Sequence, residues 1–579
     1  MEARLAFALA LLLLIVNVGN SYKILVYNSK FAHSHSNYLG RVADLLAEAG
    51  NNVTSLIPIM DPSLRDGTAK SNVMHVQPDP EVAAFYENAQ EVNFFDINMW
   101  NPIAPFVIGT MFSNVFEKTC AKVVSEPGLI EQLRAENYDV FITESFDLCG
   151  IGIAKAINPK SVIGSSTTFI FGWQVDEFGV DAATSFRSNM MTVMSEDSSL
   201  YTRVWNIYAE LTARLAFIFP RLSINRVLRE RFGAEYPTIA EQSANVAYVI
   251  TNSEPLIESA APTSTRVIDC PGLGAQTPKP LDEYWEEVLN RRPKTVLLSF
   301  GSVAKSFQLS DENKAGILKA ISKFPEVTFI WKYEKPEDAF CTNHASKLNN
   351  LVTTKWMPQV DILNHTNLAA FITHGGMGST QETALRGVPG TMRYKSDSCR
   401  GLHDLGNHIT KSILATLLID FFLVYFTIPC AIHQIELNLA GIFIPIFGDQ
   451  LRNAAMMQFN GLGRVFDKRE LHDGDKLAAT IKEVIENKKY ADNSNRLSRM
   501  LAKKPFTSRD LLVKHVEFAA EFGASSALRP QSLDMSMVEY HNLDIIAAFG
   551  LFIFFSVIIM SKIALKLLTC IGVRKMKID

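Results

Sequence analysis

The sequence predicts an α/β protein of two doubly wound domains that face one another, followed by a single membrane-spanning helix. Three observations lead there. Short β-branched runs alternate with helical segments in two separate series, the first from Lys23 to Thr251 and the second from Lys294 onward. Between them Pro271–Pro293 is rich in proline and glycine, carries one acidic helix (DEYWEEVLN), and reads as a linker. Near the C-terminus, Ile545–Ser561 is a run of seventeen residues without a charge.

In the first series Lys23–Tyr27 (KILVY) predicts a strand, followed by a His/Ser-rich turn and a helix over Asn37–Ala49. Further strands are expected at Asn52–Ile57, Asp139–Thr143, Lys160–Gly164 and Val246–Thr251. The second series opens with Lys294–Ser299 and a helix to about Lys323. It continues with strands at Thr328–Lys332, near Leu351, and at Ala369–Thr373. Such alternation predicts parallel sheets. Ligands on these sheets sit beyond the carboxyl ends of the strands, where His35, Glu144, Ser302 and His374 fall. Cys149-Gly-Ile-Gly152 lacks the third glycine and the acidic residue of a dinucleotide fingerprint, and reads as helix packing.

Leu5–Val18 is a fourteen-residue apolar run behind Arg4, closed by Gly19, Asn20 and Ser21, so residues 1–21 read as a cleaved signal peptide. The C-terminal span, taken as 545–565, has Glu539 and Asp544 before it and Lys562, Lys566, Arg574, Lys575 and Lys577 after. The basic tail 566–579 is therefore expected in the cytosol, leaving a single-pass protein whose bulk is luminal. A net charge of −4 gives no electrostatic case for nucleic acid. The seven cysteines are scattered singly, with neither metal spacing nor a disulfide scaffold, although a lumen permits disulfides. Asn52-Val-Thr and Asn364-His-Thr are glycosylation sequons that the lumen could use.

The most specific chemistry lies in WMPQVDILNHTNLAAFITHGGMGSTQE, Trp356 to Glu382, and in IFIPIFGDQLRN from Ile442. Gly375, Gly376 and Gly378 let the backbone approach a ligand after the strand, and Ser379–Arg386 continues as a helix. Strand, glycine turn and helix N-terminus make an anion site, because free N–H groups and the helix dipole converge there. Taken singly, Trp356 is a core aromatic and Glu382 a solvated helix residue. Their shared spacing is what carries weight.

That combination resembles the UDP-glycosyltransferases, and most closely the membrane-bound UDP-glucuronosyltransferases of animals, from about Tyr22 to the C-terminus. The resemblance implies a GT-B fold of two facing Rossmann-like domains. Residues 22–270 would bind the acceptor, 271–293 would link, and 294–525 would bind the UDP-sugar. By the same resemblance Trp356 would stack on the uracil and Gln359 would bond its edge. Ser302, His374, Gly376, Gly378 and Ser379 would hold the diphosphate, Glu382 the ribose, and Asp449 with Gln450 the sugar. The UDP-sugar is a co-substrate, so no cofactor is implied. No metal cluster is visible, so hydrogen bonds and the helix dipole would carry the leaving-group charge.

Transfer to a hydroxyl requires a base near neutrality, and histidine oriented by a carboxylate suits that task. The family's base lies fifteen residues before the glycine ending the following helix; from Gly50 this is His35, which leaves His33 a bystander. The orienting carboxylate is then Glu144, where the vertebrate-type pattern has Asp, with Asp147 as the alternative. Attack across the cleft would invert the anomeric centre. Asn93–Phe116 and Phe169–Phe186 are aromatic enough to line an apolar acceptor pocket, or to be core. The stripe along Trp205–Phe219 reads as core packing before it reads as a membrane face. Lys575-Met-Lys-Ile-Asp579 resembles the dilysine retrieval signal of endoplasmic-reticulum membrane proteins.

One interruption departs from the family. After Arg386-Gly-Val-Pro-Gly390 the pattern continues directly into a strand, whereas here 51 residues, 391–441, intervene before Ile442. They include Ile413–Ile432, twenty residues with one acid, which passes for a spanning helix on hydropathy. A span there would place Asp449 and Gln450 across the membrane from His374. Alternatively, Gly390-Thr391 and Ala440-Gly441 admit codons supplying splice signals, and excision of 391–441 rebuilds one glycine in frame, as for a translated intron. The resemblance thus implies an endoplasmic-reticulum membrane enzyme that would move a sugar, glucuronate by that likeness, onto small lipophilic acceptors. The alternatives are a UDP-glucosyltransferase, or an inactive isoform disrupted by the insert and serving as a partner in a homo- or hetero-oligomer.

Overall fold

The computed structural model describes residues 21–89, 92–98, 104–180, 184–189, 199–274, 278–385 and 439–575. The expected signal peptide up to residue 20 and residues 391–438 of the insertion lie outside them. In the N-terminal half the strands are β1 Lys23–Tyr27, β2 Asn52–Pro58, β3 Asn72–Val76, β4 Val140–Glu144, β5 Ser161–Ser166, β6 Tyr248–Thr251 and β7 Val267–Asp269. They form one parallel sheet in the order β3-β2-β1-β4-β5-β6-β7. The second sheet holds β8 Lys294–Ser299, β9 Val327–Lys332, β10 Leu351–Thr354, β11 Leu368–Thr373, β12 Ala440–Phe443 and β13 Gly463–Val465. Its order is β10-β9-β8-β11-β12-β13, again parallel throughout. Strands covered on both faces need continuous apolar sequence, and KILVY and KTVLLS supply it.

The helices that matter for the site are α1 His33–Glu48, α2 Ala104–Ser125, α3 Leu148–Ile157, α4 Gly172–Phe178 and α5 Leu200–Phe232 in the first half. The second half contributes α6 Glu283–Asn290, α7 Gln359–Leu363, α8 Met377–Leu385, α9 Gln450–Phe459, α10 Ser508–Phe522 and α11 Leu543–Lys575. Strand order reverses between β1 and β4 and again between β8 and β11, so each sheet opens a crevice at that point. A Cβ on Gly150 would meet Thr143 and one on Gly152 would meet Leu228, so the CGIG segment is helix packing. Cys120 in α2 and Cys149 in α3 form a disulfide, a pairing that their spacing in sequence did not signal.

Three placements differ from the sequence reading. Helix α1 begins at His33, so both histidines of the first turn are helical rather than in a loop. Helix α6, inside the stretch read as linker, buries Trp285, Val288 and Leu289 against Leu297, Ile330 and Phe371 of the second sheet. Helix α10, assigned by sequence to the second domain, instead packs Leu512, Val516, Ala519 and Ala520 against Ile24, Val140 and Ile163 of the first. An apolar helix face docks wherever it buries most surface, and sequence order does not constrain that choice. Helix α5 is divided. Ala209, Ala213, Ala216 and Ile224 are buried, whereas Leu200, Val204, Ile207, Leu211, Leu215 and Leu222 are exposed. Core packing thus accounts for one face of it only.

The described residues include one helix long and apolar enough to cross a membrane, Leu543–Leu567, with mean hydropathy 2.6. It extends the expected 545–565 slightly at both ends.

Strand β12 starts at Ala440, two residues before the point where the family pattern was expected to resume, and pairs with β11 (Ala370↔Ala440, Thr373↔Phe443). Gly441 is buried between neighbours. A Cβ there would run into the Phe443 ring, and one on Gly463 would run onto the Gly441 carbonyl. Removal of 391–441 would place Gly390 where Gly441 stands, which keeps a glycine at the crowded position. The deleted form should therefore melt within a few degrees of the full chain. The same deletion carrying Gly390→Ala should lose roughly 1–3 kcal/mol by overpacking. Thermal unfolding of the two forms measures this, and equal stability would mean that the strand is re-registered.

Candidate functional site

Two half-sites converge where the sheets reverse. On the N-terminal side, His35 sits in the first turn of α1 and Glu144 ends β4, with His35 Nδ1 3.2 Å from Glu144 Oε2. The glutamate is fully buried. Thr167 donates to the same Oε2, while Oε1 has no partner among the described residues. A buried carboxylate so poorly satisfied is stabilised by a cationic neighbour, and His35 is the one in reach. Asp147, the alternative carboxylate, caps the N-terminus of α3 by accepting from the Cys149 N–H at 3.1 Å. Burial pushes its carboxyl up to about 6. His33 bonds Asn37 instead, and burial, with Lys332 and Arg65, lowers its pKa.

The rings of Phe31 and Phe146 flank His35 at 4.4 and 5.7 Å. Phe146 in turn packs against Phe112, Phe116, Phe171, Trp173 and Phe217. The aromatic wall beside His35 therefore draws on both segments named from sequence. Phe186, at the end of one of them, is exposed. Asn93–Ile97, at the start of the other, docks on the second domain.

On the opposite side, His374 follows β11 and its ring lies between two glycines. A Cβ on Gly301 would come within 2.6 Å of it and one on Gly376 within 2.5 Å. Burial and the charge of Lys332 lower its pKa to about 4, so it is neutral at physiological pH. Gly378 faces open space, next to the half-buried Ser379 in the first turn of α8. Ser302 is exposed in the turn after β8. Trp356 is 68% exposed, which excludes a core role for it. Gln359 opens α7 and donates from Nε2 to Glu382 Oε2 at 2.7 Å. Burial raises the Glu382 carboxyl to about 7 against that hydrogen bond.

Asp449 precedes α9, where Asn453 Nδ2 donates to its Oδ2 at 2.8 Å and also reaches the Gly375 carbonyl at 3.2 Å. Burial raises the Asp449 pKa, while Asn453, Arg452 and the charge of His35 across the cleft oppose the shift. Gln450 has a different task. Its Oε1 accepts from the N–H groups of Ile446 and Phe447 at 2.8 and 3.1 Å, bracing the loop that carries Asp449.

Sequence reasoning missed Lys332, Thr167 and Phe146. Lys332 ends β9, donates to the Gly301 carbonyl, and lies 5.5 Å over the Trp356 ring. Burial lowers its pKa. A lysine ending a strand reads as solvated, and only the fold turns it into the cleft.

The family model for UDP-glucoronosyl and UDP-glucosyl transferase matches residues 22–394 and 435–577. The chain belongs to that family. The match spans both half-sites and leaves 395–434 unmatched. A putative UDP-glucuronosyltransferase of Caenorhabditis briggsae, ugt-47, is 25% identical over 551 residues, covering 93% of this chain and 91% of the relative. UDP-glucuronosyltransferase 1A7 of Rattus norvegicus is 23% identical over 548 residues, covering 92% and 90%. Among solved structures, the glycotransferase of kitacinnamycin superposes with TM-score 0.52 at 15% identity, covering 87% of this chain and all of that one. A UDP-glucosyltransferase from Polygonum tinctorium gives TM-score 0.52 at 13% identity, covering 88% and 99%. The fold is GT-B, and as a family member the chain is a hexosyltransferase that draws its sugar from a UDP-sugar.

The histidine held between two glycines makes a pH prediction. The unfolded chain takes up a proton at this position near pH 6.5, which the folded ring refuses until about 4. Its contribution to stability is therefore present above pH 6.5 and falls away as pH drops toward 4. His374→Gln should flatten that part of the stability profile. A profile between pH 4 and 6.5 unchanged by His374→Gln would show that the ring is solvated.

Proposed function

We propose that this chain transfers glucuronate from UDP-glucuronate to the hydroxyl of a small lipophilic acceptor, with inversion. His35 is the general base, and Glu144 holds it and stabilises its imidazolium. The observation carrying this reading is the His35–Glu144 pair at 3.2 Å, set in an aromatic wall and within electrostatic reach of Asp449 on the other domain. An apolar acceptor would lie on Phe146 and its neighbours, with its hydroxyl at the free nitrogen of His35. On the donor side, Trp356 would stack on the uracil. Gln359 would bond the uracil edge and Glu382 the ribose hydroxyls. The turn of Ser302, His374, Gly376, Gly378 and Ser379 would receive the diphosphate, with Lys332 adding the positive charge that helix dipole and N–H groups supply elsewhere. Asp449 would accept from sugar hydroxyls, while Gln450 supports it. The relatives named as UDP-glucuronosyltransferases support glucuronate as the sugar.

The apolar helix α11 fits a single anchor with both domains on its N-terminal side, and the basic residues after it fit a cytosolic tail. The Cys120–Cys149 disulfide fits an oxidising lumen, in keeping with residence in the endoplasmic reticulum. The inactive-partner reading loses its main support, because β12 pairs with β11 in register and Asp449 stands beside the His374 loop in the full chain.

His35→Ala should abolish transfer to alcohols while leaving UDP binding intact, because the base touches only the acceptor. Glu144→Ala should lower turnover with it. A damaging Asp147→Ala beside a silent Glu144→Ala, with both variants folded, would move the orienting role to Asp147. Gln359→Ala or Glu382→Ala should each weaken UDP binding by roughly 1–3 kcal/mol in calorimetry, the loss expected when a buried partner goes unsatisfied. Unchanged affinity in both would remove α7 and α8 from the donor site.

The full chain and the form lacking 391–441 should turn over at comparable rates. A deficit of ~10²-fold in the full chain would instead mean that the insert displaces Asp449 by about 1 Å or more.

A further inference from the structure

One short segment of the N-terminal domain crosses to the other. Asn93–Ile97 leaves the first half and lies against both loops of the second that carry donor-side residues. Phe95 meets Phe300 edge-to-face at 5.2 Å, one residue before Gly301 and Ser302. Phe94 packs on Phe447 at 4.8 Å, two residues before Asp449. Asn93 Nδ2 donates to the Gln308 carbonyl at 3.0 Å. Beneath the crossing lies Lys468, half-buried in the short turn after β13. Its ammonium donates to the Ile97 carbonyl at 2.7 Å and to the Ile446 carbonyl at 3.0 Å, with Phe94 O at 3.4 Å. Two of these carbonyls belong to the N-terminal domain, and the third opens the Ile446–Gln450 loop.

We infer that Lys468 and Phe94 form a latch that positions the Asp449 loop against the acceptor domain, so that Lys468 is a positioning residue for the sugar rather than for UDP. This rests on the reading above that Asp449 faces the sugar. The geometry separates the two halves of the donor. Gln359 and Glu382 stand on α7 and α8, and Trp356 and His374 on other turns, whereas Asp449 shares its loop with Ile446 and Phe447. An ammonium is suited to this task because it presents three donors to three carbonyls and cannot accept. Losing it would leave three partly buried carbonyls without this donor and free the loop to move by the ångström that transfer does not tolerate.

The latch also titrates. Burial, opposed by Asp467 and Asp96 and assisted by Arg469, lowers the Lys468 pKa to about 8. As pH rises through 8 the amine therefore loses one of its three donors, and the grip on the sugar loop weakens.

The test uses the full chain and measures affinity for UDP and for UDP-glucuronate side by side, with turnover. Lys468→Met, which keeps the length of the side chain and removes the donors, should leave UDP affinity within about twofold. It should weaken UDP-glucuronate and lower turnover by tenfold or more. Phe94→Ala should give the same pattern, and the double variant should be no worse than the poorer single one, because both cut the same latch. In the wild type the ratio of UDP-glucuronate to UDP affinity should fall above pH 8; in Lys468→Met it should be flat. Wild-type sugar affinity and turnover in Lys468→Met would overturn the latch, and so would a parallel loss of UDP affinity, which marks general damage. If the unaltered chain turns over no UDP-sugar at all, the proposed function fails instead, and the two failures are told apart by that control.

Discussion

The two half-sites come together only if the domains face one another, and one helix is central to that relation. Helix α8 opens on the glycine turn after His374 and carries Glu382 on one side. From its next-door residue, Gln381, it reaches the N-terminal domain, donating to the Asn252 carbonyl and accepting from the Gly272 N–H at 3.0 Å. The helix that carries Glu382 is thus also a bracket between domains. Two ion pairs flank it. Arg452 bonds Glu258 and lies 3.8 Å over the Phe169 ring, and Lys504 holds Glu254 at 3.1 Å. Such pairs, largely out of water, add little net stability over an apolar contact, yet removing one partner strands a charge at a cost of about 3–5 kcal/mol. They therefore fix orientation more than they deepen the energy well. Because α8 is shared, a nucleotide bound there as proposed would be felt at Asn252, on the loop that follows β6.

Within that frame, two carboxylates three residues apart on one turn are driven to different work. Asp147 accepts a backbone N–H at the start of α3, and burial leaves it partly protonated near neutrality. Glu144 is one methylene longer than the aspartate expected in the family pattern. It ends its strand early enough to fold back on His35, where Thr167 fixes the same oxygen. The aromatic rings around His35 lower the local polarity, so the contact between the ring and the carboxylate is screened less than it would be in water. In the proposed reading the same rings would also give an apolar acceptor its contact area.

Much of this was legible because parallel α/β domains write their plan into local sequence. KILVY and KTVLLS are covered on both faces and read as strands with their limits intact, and the residues after them fell at the switch points. Edge strands were not legible. NVMHV is largely exposed and VID is too short for periodicity to register. Helix α10 could not be assigned to its true neighbour, since an apolar face names no partner. Lys332, Thr167 and Lys468 escaped for a related reason. A single polar residue acquires a role only from groups distant in sequence, and here these are Gly301, Glu144 and the carbonyls of Ile97 and Ile446. His35 was singled out by a family spacing and Glu144 by its place after a strand, and the 3.2 Å between them is a product of the tertiary fold.

The interruption between Gly390 and Ile442 shows how the same architecture separates what varies from what cannot. In a parallel sheet every strand delivers its functional loop at the carboxyl end, while the returning connections enter at the amino end. Among the described residues Leu385 closes α8 and Ala440 begins β12, so the chain re-enters the sheet at the amino end of that strand. Ile442 and Phe443 of β12 then stand between the insertion and the loop that leads to Asp449, roughly 7 Å of extended chain. Closing a longer connection costs only about 0.6 kcal/mol for each doubling of its length. The cost of the insertion is thus small in chain entropy. Had the same residues entered after β12 rather than before it, they would have fallen between Phe443 and Asp449, and the sugar loop could not have kept its contact with Lys468.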